Sequence, residues 1–476
     1  MTFADIDFGY ASAEQEGARN PTLLLEGFLD HDRIIPEARS GHKFLFLGNK
    51  GSGKSAIAEH LRLLQSQESH LFVQTIYLSD FPYTDFKRII RGDAEPESKY
   101  PTAWSWLLLI TLFNSFNKDQ GAHSKKERAY HSALEALEKM DLLTDQDLAQ
   151  VARATSKRSF TVKTPVNFEL EYQSSVDEEG VRIPFFVDRL REIAANFKSD
   201  SDHLLVIDGL DDILTGRKVQ YDSLAALILE VSRLNTIFQR NGAPVKIILL
   251  CRTDLFERLP GTNKNKIRQD SAFHLDWYKN INKPWESDLI QLANLRAGLS
   301  NDEIDNVFSE FLPYELNDTL TQVFLIDMTR HNPRDFLQLL IHMQKFSGEG
   351  RLSEAEALNG IGDYSRKYFL PEMKDELVGY FDTEEVARVF NLITHLGKNE
   401  FTLEELNVKS QSYDHFARLD LDSIVHALFE CGAIGNVDVR PNGRFYKWKF
   451  RNKNASLDKL GRLVVHKGLY KALNLV

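Results

Sequence analysis

Eight consecutive residues, Gly48-Asn49-Lys50-Gly51-Ser52-Gly53-Lys54-Ser55, have the spacing GxxxxGK[ST]. That spacing makes an anion cradle. Its glycines let successive backbone N–H groups turn inward toward one point. A helix starting at the lysine adds the partial positive charge of its first turn. Lys54 is placed to reach β- and γ-phosphates, and the Ser55 hydroxyl to ligate Mg²⁺. Lys50 is a further candidate phosphate contact, with a solvated side chain as the alternative. The chemistry expected here is the binding of a nucleoside triphosphate and its magnesium ion.

A second carboxylate-bearing segment complements the first. His203-Leu204-Leu205-Val206-Ile207-Asp208 reads as a buried strand ending in an acid, followed by Gly209-Leu210-Asp211-Asp212. A carboxylate at the C-terminal edge of a parallel sheet sits where ligands bind in open α/β folds. Asp208 is the candidate for the Mg²⁺ shell, and Gly209 leaves room beside it. Asp211 and Asp212 are candidates for polarising an attacking water. A strand that merely ends in an Asx turn is the alternative.

Asp208-Gly-Leu-Asp-Asp212 resembles the acidic motif of NACHT-type members of the STAND NTPases, P-loop ATPases of signal transduction related to AAA+ proteins. The resemblance implies that Asp211, three positions after the first acid, serves the water in preference to Asp212. Val245 to Cys251 followed by Arg252-Thr253-Asp254 is similar to the sensor-1 strand of that family, which makes Arg252 the γ-phosphate candidate; a strand-end ion pair is the alternative. Met328-Thr-Arg-His-Asn-Pro-Arg-Asp335 resembles the lid motif of STAND and origin-recognition ATPases. By that likeness Pro333 packs near the adenine and Arg334 acts as sensor 2. His331 stands where the family has a glycine. Arg268, after Lys264-Asn-Lys-Ile, matches the region of an AAA+ arginine finger, although a solvated basic loop also accounts for it.

These groups need a scaffold. Residues 43–47 form an apolar, β-rich run before the glycines, and Ile57, Leu61 and Leu64 give a helix after them. Strands are expected at 43–48, 71–78, 203–208, 245–251 and 272–276, with a helix at 220–239. Strands alternating with helices predict a parallel sheet. The long gap between the second and third strands exceeds an ordinary crossover. It predicts an insertion (about 80–200) with helices over 100–116, 124–154 and 184–197. A half-exposed hairpin is expected over 160–172, and a turn at 178–180. Residues 284–346 read as all helical, and 351–381 as a helical linker. From Thr383, three helices (386–396, 401–406, 421–431) precede a hairpin turning at 441–443, the pattern of a winged helix-turn-helix.

The expected fold is therefore α/β: a parallel-sheet P-loop NTPase core with a long insertion, a helical lid and a C-terminal winged helix. The divisions are a lead-in at 1–42 packing on the core, the core at 43–283, lid and linker at 284–381, and winged helix at 382–476. This order resembles the bacterial FunZ-like P-loop ATPases, with Phe8-Gly9-Tyr10 and Leu275-Asp276-Trp277 adding to the likeness.

Composition sets outer limits. The chain has 476 residues, 42% hydrophobic and 27% charged, which excludes a wholly disordered chain, a collagen and a disulfide scaffold. A net charge of -11 argues against a protein that coats nucleic acid over its whole surface. Basic residues nevertheless gather after Arg444, so the wing is a candidate DNA contact; packing on the ATPase is the other reading. Two cysteines and no long apolar run lead us to expect a cytoplasmic protein without membrane contact. The expected ligands are ATP or ADP with Mg²⁺, adenine being favoured because no Asn/Thr-Lys-x-Asp motif occurs. The resemblance implies an ATP-hydrolysing switch that self-associates or acts on a separate effector protein, in signalling that includes antiviral defence. A DNA-acting ATPase and a nucleotide-binding scaffold without turnover are the alternatives.

Overall fold

The computed structural model describes residues 1–79, 81–90, 96–143, 147–157, 183–210, 218–261, 264–278, 283–378, 380–441 and 443–475. They form two compact units. One comprises Asp30–Gly48 and Lys54–Leu275; the other comprises Met1–Leu29, Asn49–Gly53 and Asp276–Val476.

The first unit is built on one sheet of five strands: β1 (Leu45–Gly48), β2 (Leu71–Tyr77), β3 (Asp202–Asp208), β4 (Val245–Arg252) and β5 (Ala272–His274). Their order is β2-β3-β4-β1-β5, and every pairing is parallel. Strands covered on both faces can be apolar throughout, as the LeuLeuValIle of β3 and the IleIleLeuLeu of β4 are. This is the parallel α/β sheet of a P-loop NTPase core. Because the strands are parallel, all five C-terminal ends share one edge. Gly48 lies directly beside Arg252, while Leu249 of β4 pairs with both Leu45 and Ile207. Asp208 therefore reaches the same edge as Gly48, with β4 between them. Helix α1 (Lys54–Leu64) begins at the loop lysine and buries Ile57 and Leu61.

The insertion between β2 and β3 supplies α2 (Pro96–Lys118), α3 (Arg128–Lys139), α4 (Leu148–Lys157) and α5 (Ile183–Ala195). Its central helix is not an appendage. Trp104, Trp106, Leu107, Ile110 and Phe113 belong to the same hydrophobic core as β1, β3 and α6 (Lys218–Asn241). A helix apolar on nearly all sides must be enclosed. The Trp104 indole N–H donates to the Ser223 carbonyl at 2.8 Å, and Ser115 Oγ meets His203 Nδ1 at 2.8 Å. The hairpin expected at 160–172 and the turn at 178–180 lie outside the described residues. Helix α7 (Lys264–Ser271) leads into β5.

In the second unit, the start of the chain, the lid and the C-terminal region share one core, from Phe3 and Phe8 through Leu340 and Tyr364 to Ile434 and Leu469. The lead-in is thus divided, with residues 1–29 in this unit and 30–42 in the sheet unit. Helices α8 (Asp288–Ser300), α9 (Pro333–Gln344) and α10 (Glu354–Tyr364) form the lid; α10 continues through a π turn at Ser365–Phe369 into α11 (Leu370–Leu377). The expected all-helical lid is interrupted by a hairpin, β6 (Glu315–Leu316) and β7 (Thr319–Leu320). Asn317 and Asp318 supply its two positive φ values, 48° and 58°, as a two-residue type I′ turn requires.

Beyond it come α12 (Thr383–Leu396), β8 (Glu400–Thr402), α13 (Leu403–Gln411), α14 (Leu421–Glu430), β9 (Ile434–Arg440) and β10 (Gly443–Lys447). This is the winged-helix order, with two corrections. Phe401 lies in a strand, because Thr402 is the N-cap that starts α13. Residues 462–465, where no strand was expected, form β11, placed between β9 and β8 in the sheet. Leu463, Val464 and Val465 are all buried there, so this short apolar strand is covered on both faces.

Arg296 ties the chain start to the lid. Its guanidinium donates to Glu16 at 2.7 and 2.9 Å and to the Phe8 carbonyl at 2.7 Å. Gly9 turns there at φ +89°, where a Cβ would lie 2.0 Å from Glu16. Arg296→Ala leaves a buried carboxylate unpaired and is expected to cost about 3–5 kcal/mol. Denaturant unfolding monitored in the second unit should show that loss, with Glu16→Ala/Arg296→Ala less destabilised than Arg296→Ala alone.

Candidate functional site

The phosphate loop joins β1 to α1. Gly51 and Gly53 adopt φ +80° and +93°, conformations that strain any residue with a Cβ. Around Gly53 nothing among the described residues stands within 4 Å of the missing Cβ. Ser52 is buried, and its hydroxyl has no hydrogen-bond partner among the described residues. The Ser52 carbonyl accepts from the Trp277 indole at 3.0 Å. Lys54 is buried, with Nζ 3.5 Å from the Gly48 carbonyl.

At the sheet edge, Asp208 is buried and accepts from the Gly209 amide at 2.8 Å. Gly209 has φ +76°, and a Cβ there would stand 3.0 Å from the Leu78 nitrogen. The glycine is thus required both by the turn and by the close approach of the next strand's end. Asp211 and Asp212 lie outside the described residues. Arg252 and Arg268 are each held locally. Arg252 makes a two-pronged pair with Asp254, at 2.9 Å for both contacts. Burial pushes the Asp254 carboxyl up, but the Arg252 charge outweighs it and the group stays below the usual carboxylate range. Arg268 pairs with Glu257 at 2.5 Å and lies over the Phe256 ring.

The lid motif meets the loop within the second unit. The Arg334 amide donates to the Gly51 carbonyl at 3.3 Å. A Cβ on Gly51 would lie 2.6 Å from Asn332 Oδ1 and 3.3 Å from Arg334 Cβ. Pro333 occupies the first turn of α9, behind the Asn332 cap. Among the described residues, the Arg334 guanidinium makes no ion pair. His331, at the position where the resembled lid motif has a glycine, takes φ +53°, the left-handed conformation a glycine would adopt.

Behind these residues lies a buried charge network. Arg330 donates to Asp335 at 2.8 and 3.0 Å and pairs with Glu376. Asp335 also accepts from Asn332 Nδ2 at 2.9 Å and from the Tyr368 hydroxyl at 3.1 Å. Burial pushes its carboxyl up, but the Arg330 charge prevails and holds it below the usual range. Lys50 of the loop faces Glu372 of α11 at 3.1 Å. Glu372 is a contact that the sequence reading missed. Its signal is one acid among several on a polar helix, and no spacing relates it to the loop.

The C-terminal region closes on the same motif. Arg451 donates to His331 Nε2 at 2.9 Å and to Asp327 at 2.7 Å, and Lys467 reaches Asp327 at 2.8 Å. His466 donates through Nε2 to the Thr329 carbonyl at 3.2 Å. Burial pushes the His466 imidazole down to about 3, and burial with the Arg451 charge lowers His331 well below its ordinary value.

No protein-family model matches the chain, and no curated protein aligns with it. Among solved structures, the chain is similar to the ORC1 protein of Aeropyrum pernix, determined in complex with DNA, over 96% of each chain, with 13% identity and a TM-score of 0.37. A TM-score below 0.5 at that identity transfers neither architecture nor function. Among the described residues, no helix is long and apolar enough to cross a membrane.

Two predictions come from this geometry. Gly51→Ala faces both a positive φ and the Asn332 oxygen, and is expected to destabilise by about 1–3 kcal/mol; thermal unfolding checks it. The two buried imidazoles have depressed folded-state values, so the unfolded chain binds more protons below about 6.5. Their contribution is full above that pH and is lost as the pH falls, for His466 toward about 3. Between pH 7 and 5 stability should decline, by up to about 1.4 kcal/mol per pH unit for each histidine. His466→Gln should show a shallower decline in denaturant titrations at several pH values.

Proposed function

We propose that the protein binds ATP with Mg²⁺ at residues 48–55, hydrolyses it slowly, and works as a nucleotide-dependent switch of STAND type. One observation carries this reading: a GxxxxGKS loop with two left-handed glycines leaves β1 at the ligand edge of an all-parallel sheet, with the Lys54 helix directly after it. In this reading the backbone of Gly48, Asn49, Gly51, Ser52 and Gly53 cradles the phosphates, with Lys50 and Lys54 as cations. The residues present suit the metal. Ser55 and Asp208 offer hard oxygen donors of the kind magnesium takes, and within the loop the Ser52 hydroxyl, without a hydrogen-bond partner among the described residues, is a further buried polar group. The bound ion would neutralise charge on the phosphate oxygens. Asp211 accepts the proton of the attacking water, Asp212 being the alternative.

Arg252 and Arg268 keep their proposed sensor and finger roles only if they exchange Asp254 and Glu257 for phosphate. Arg334, on a backbone bonded to the loop, is the better-placed sensor. Pro333 is assigned to the adenine side. Self-association or a separate effector protein would read the nucleotide state, and antiviral signalling is the setting that the family likeness suggests.

The DNA-binding reading has the exposed strand β10 in its favour, with Phe445 and Tyr446 beside Arg444. The surrounding cations are matched by acids: Arg440 and Lys447 by Asp438, Arg444 by Glu400, Arg451 and Lys467 by Asp327, and Lys459 by Asp422. We therefore favour a structural use of this domain, and expect no DNA retention at about 50 mM salt, where phosphate contacts are strong.

Calorimetry with MgATP tests the main reading. Lys54→Ala is expected to weaken binding about 10- to 100-fold, the loss of a charged hydrogen bond, with an unchanged melting profile. Equal affinity in the variant and the wild type would remove the site from this loop. Phosphate release by Asp211→Asn at the wild-type rate would remove that residue from the base role.

A further inference from the structure

Lys50 is the loop cation that differs most from its neighbours. Lys54 is buried against the loop's own backbone, whereas Lys50 reaches away to the Glu372 carboxylate, 3.1 Å from Oε2. The pair is close but not aligned as a hydrogen bond, and among the described residues the buried Oε2 has no hydrogen-bond partner. Its next cation is Arg330, 4.0 Å away, whose guanidinium already serves Asp335 and Glu376. A buried carboxylate oxygen without a hydrogen bond is costly, and such a group calls for an explanation. An ion pair lacking good geometry is also easy to exchange.

We propose that Glu372 is a built-in competitor for the phosphate chain. With no anion in the loop, Lys50 is held by Glu372. When a nucleoside triphosphate enters, its terminal phosphates take Lys50, and Glu372 is left with Arg330. The occupancy of the loop is thereby reported to α11, which also carries Glu376 and leads into α12. This inference rests on the nucleotide reading above and adds to it a residue that sets affinity and carries the signal. A triphosphate, with more charge to offer Lys50, gains more from the exchange than a diphosphate.

Calorimetric affinities of the full chain for MgATP and MgADP test it, using wild type, Glu372→Gln, Glu372→Ala, Lys50→Met and Glu372→Gln/Lys50→Met. Removing the competing charge is expected to tighten MgATP binding about 3- to 10-fold, with a smaller gain for MgADP. Lys50→Met should weaken MgATP binding, and adding Glu372→Gln to it should recover nothing. Both Glu372 variants report the charge, so a packing defect peculiar to one does not mimic the result. If wild type binds MgATP and neither Glu372 variant binds it more tightly, the competitor role is overturned while the nucleotide reading stands. If no form binds nucleotide, both fall.

Discussion

The 2.6 Å between the Asn332 side-chain oxygen and the place where a Gly51 Cβ would stand is the constraint on which the second unit depends. It lets the lid motif pack against the phosphate-loop backbone, close enough for the Arg334 amide to bond the Gly51 carbonyl. The glycine is needed twice, for its positive φ and for the space. Asn332 is itself immobilised: it caps α9 through the Asp335 amide at 2.8 Å and donates to the Asp335 carboxylate. Loop position is thereby tied to a fully buried carboxylate.

That carboxylate is stable only because Arg330 neutralises it, and Arg330 in turn needs Glu376 for its remaining donors. Breaking such a set leaves an uncompensated buried charge, which is far more costly than the net value of the pairs. The network therefore behaves as one block rather than as separate contacts. His331 extends the block to the C-terminal region through Arg451, and Thr329 does so through His466. A group held in a left-handed conformation without being glycine costs free energy. Its retention here coincides with the point where loop-facing and wing-facing contacts meet.

Much of the fold was legible because its signals are local. The runs ending at Gly48, Asp208 and Arg252 announce buried parallel strands, and their observed bounds differ from expectation by a residue or two. Less legible features arise from tertiary context. β11 is four residues long and preceded by charged loop sequence, so only its partners β9 and β8 define it as a strand. The 315–320 hairpin is too short for periodicity to show. That the insertion's central helix shares the sheet's core was not legible, because chain distance hides that packing. At the site, the loop and Asp208 follow from spacing and strand position. The pairings of Arg252 with Asp254 and of Lys50 with Glu372 depend on side-chain reach, which sequence pattern does not encode.

The central claim is that residues 48–55 are where the phosphates of a magnesium nucleotide sit. Hydrogen–deuterium exchange of the full chain, with and without a slowly hydrolysed MgATP analogue, tests it at the amides themselves. The account predicts slower exchange confined mainly to peptides covering 48–57 and 330–337, because the loop amides become donors to phosphate and the lid motif rests on the loop. Unchanged exchange in 48–57 at saturating nucleotide would contradict it.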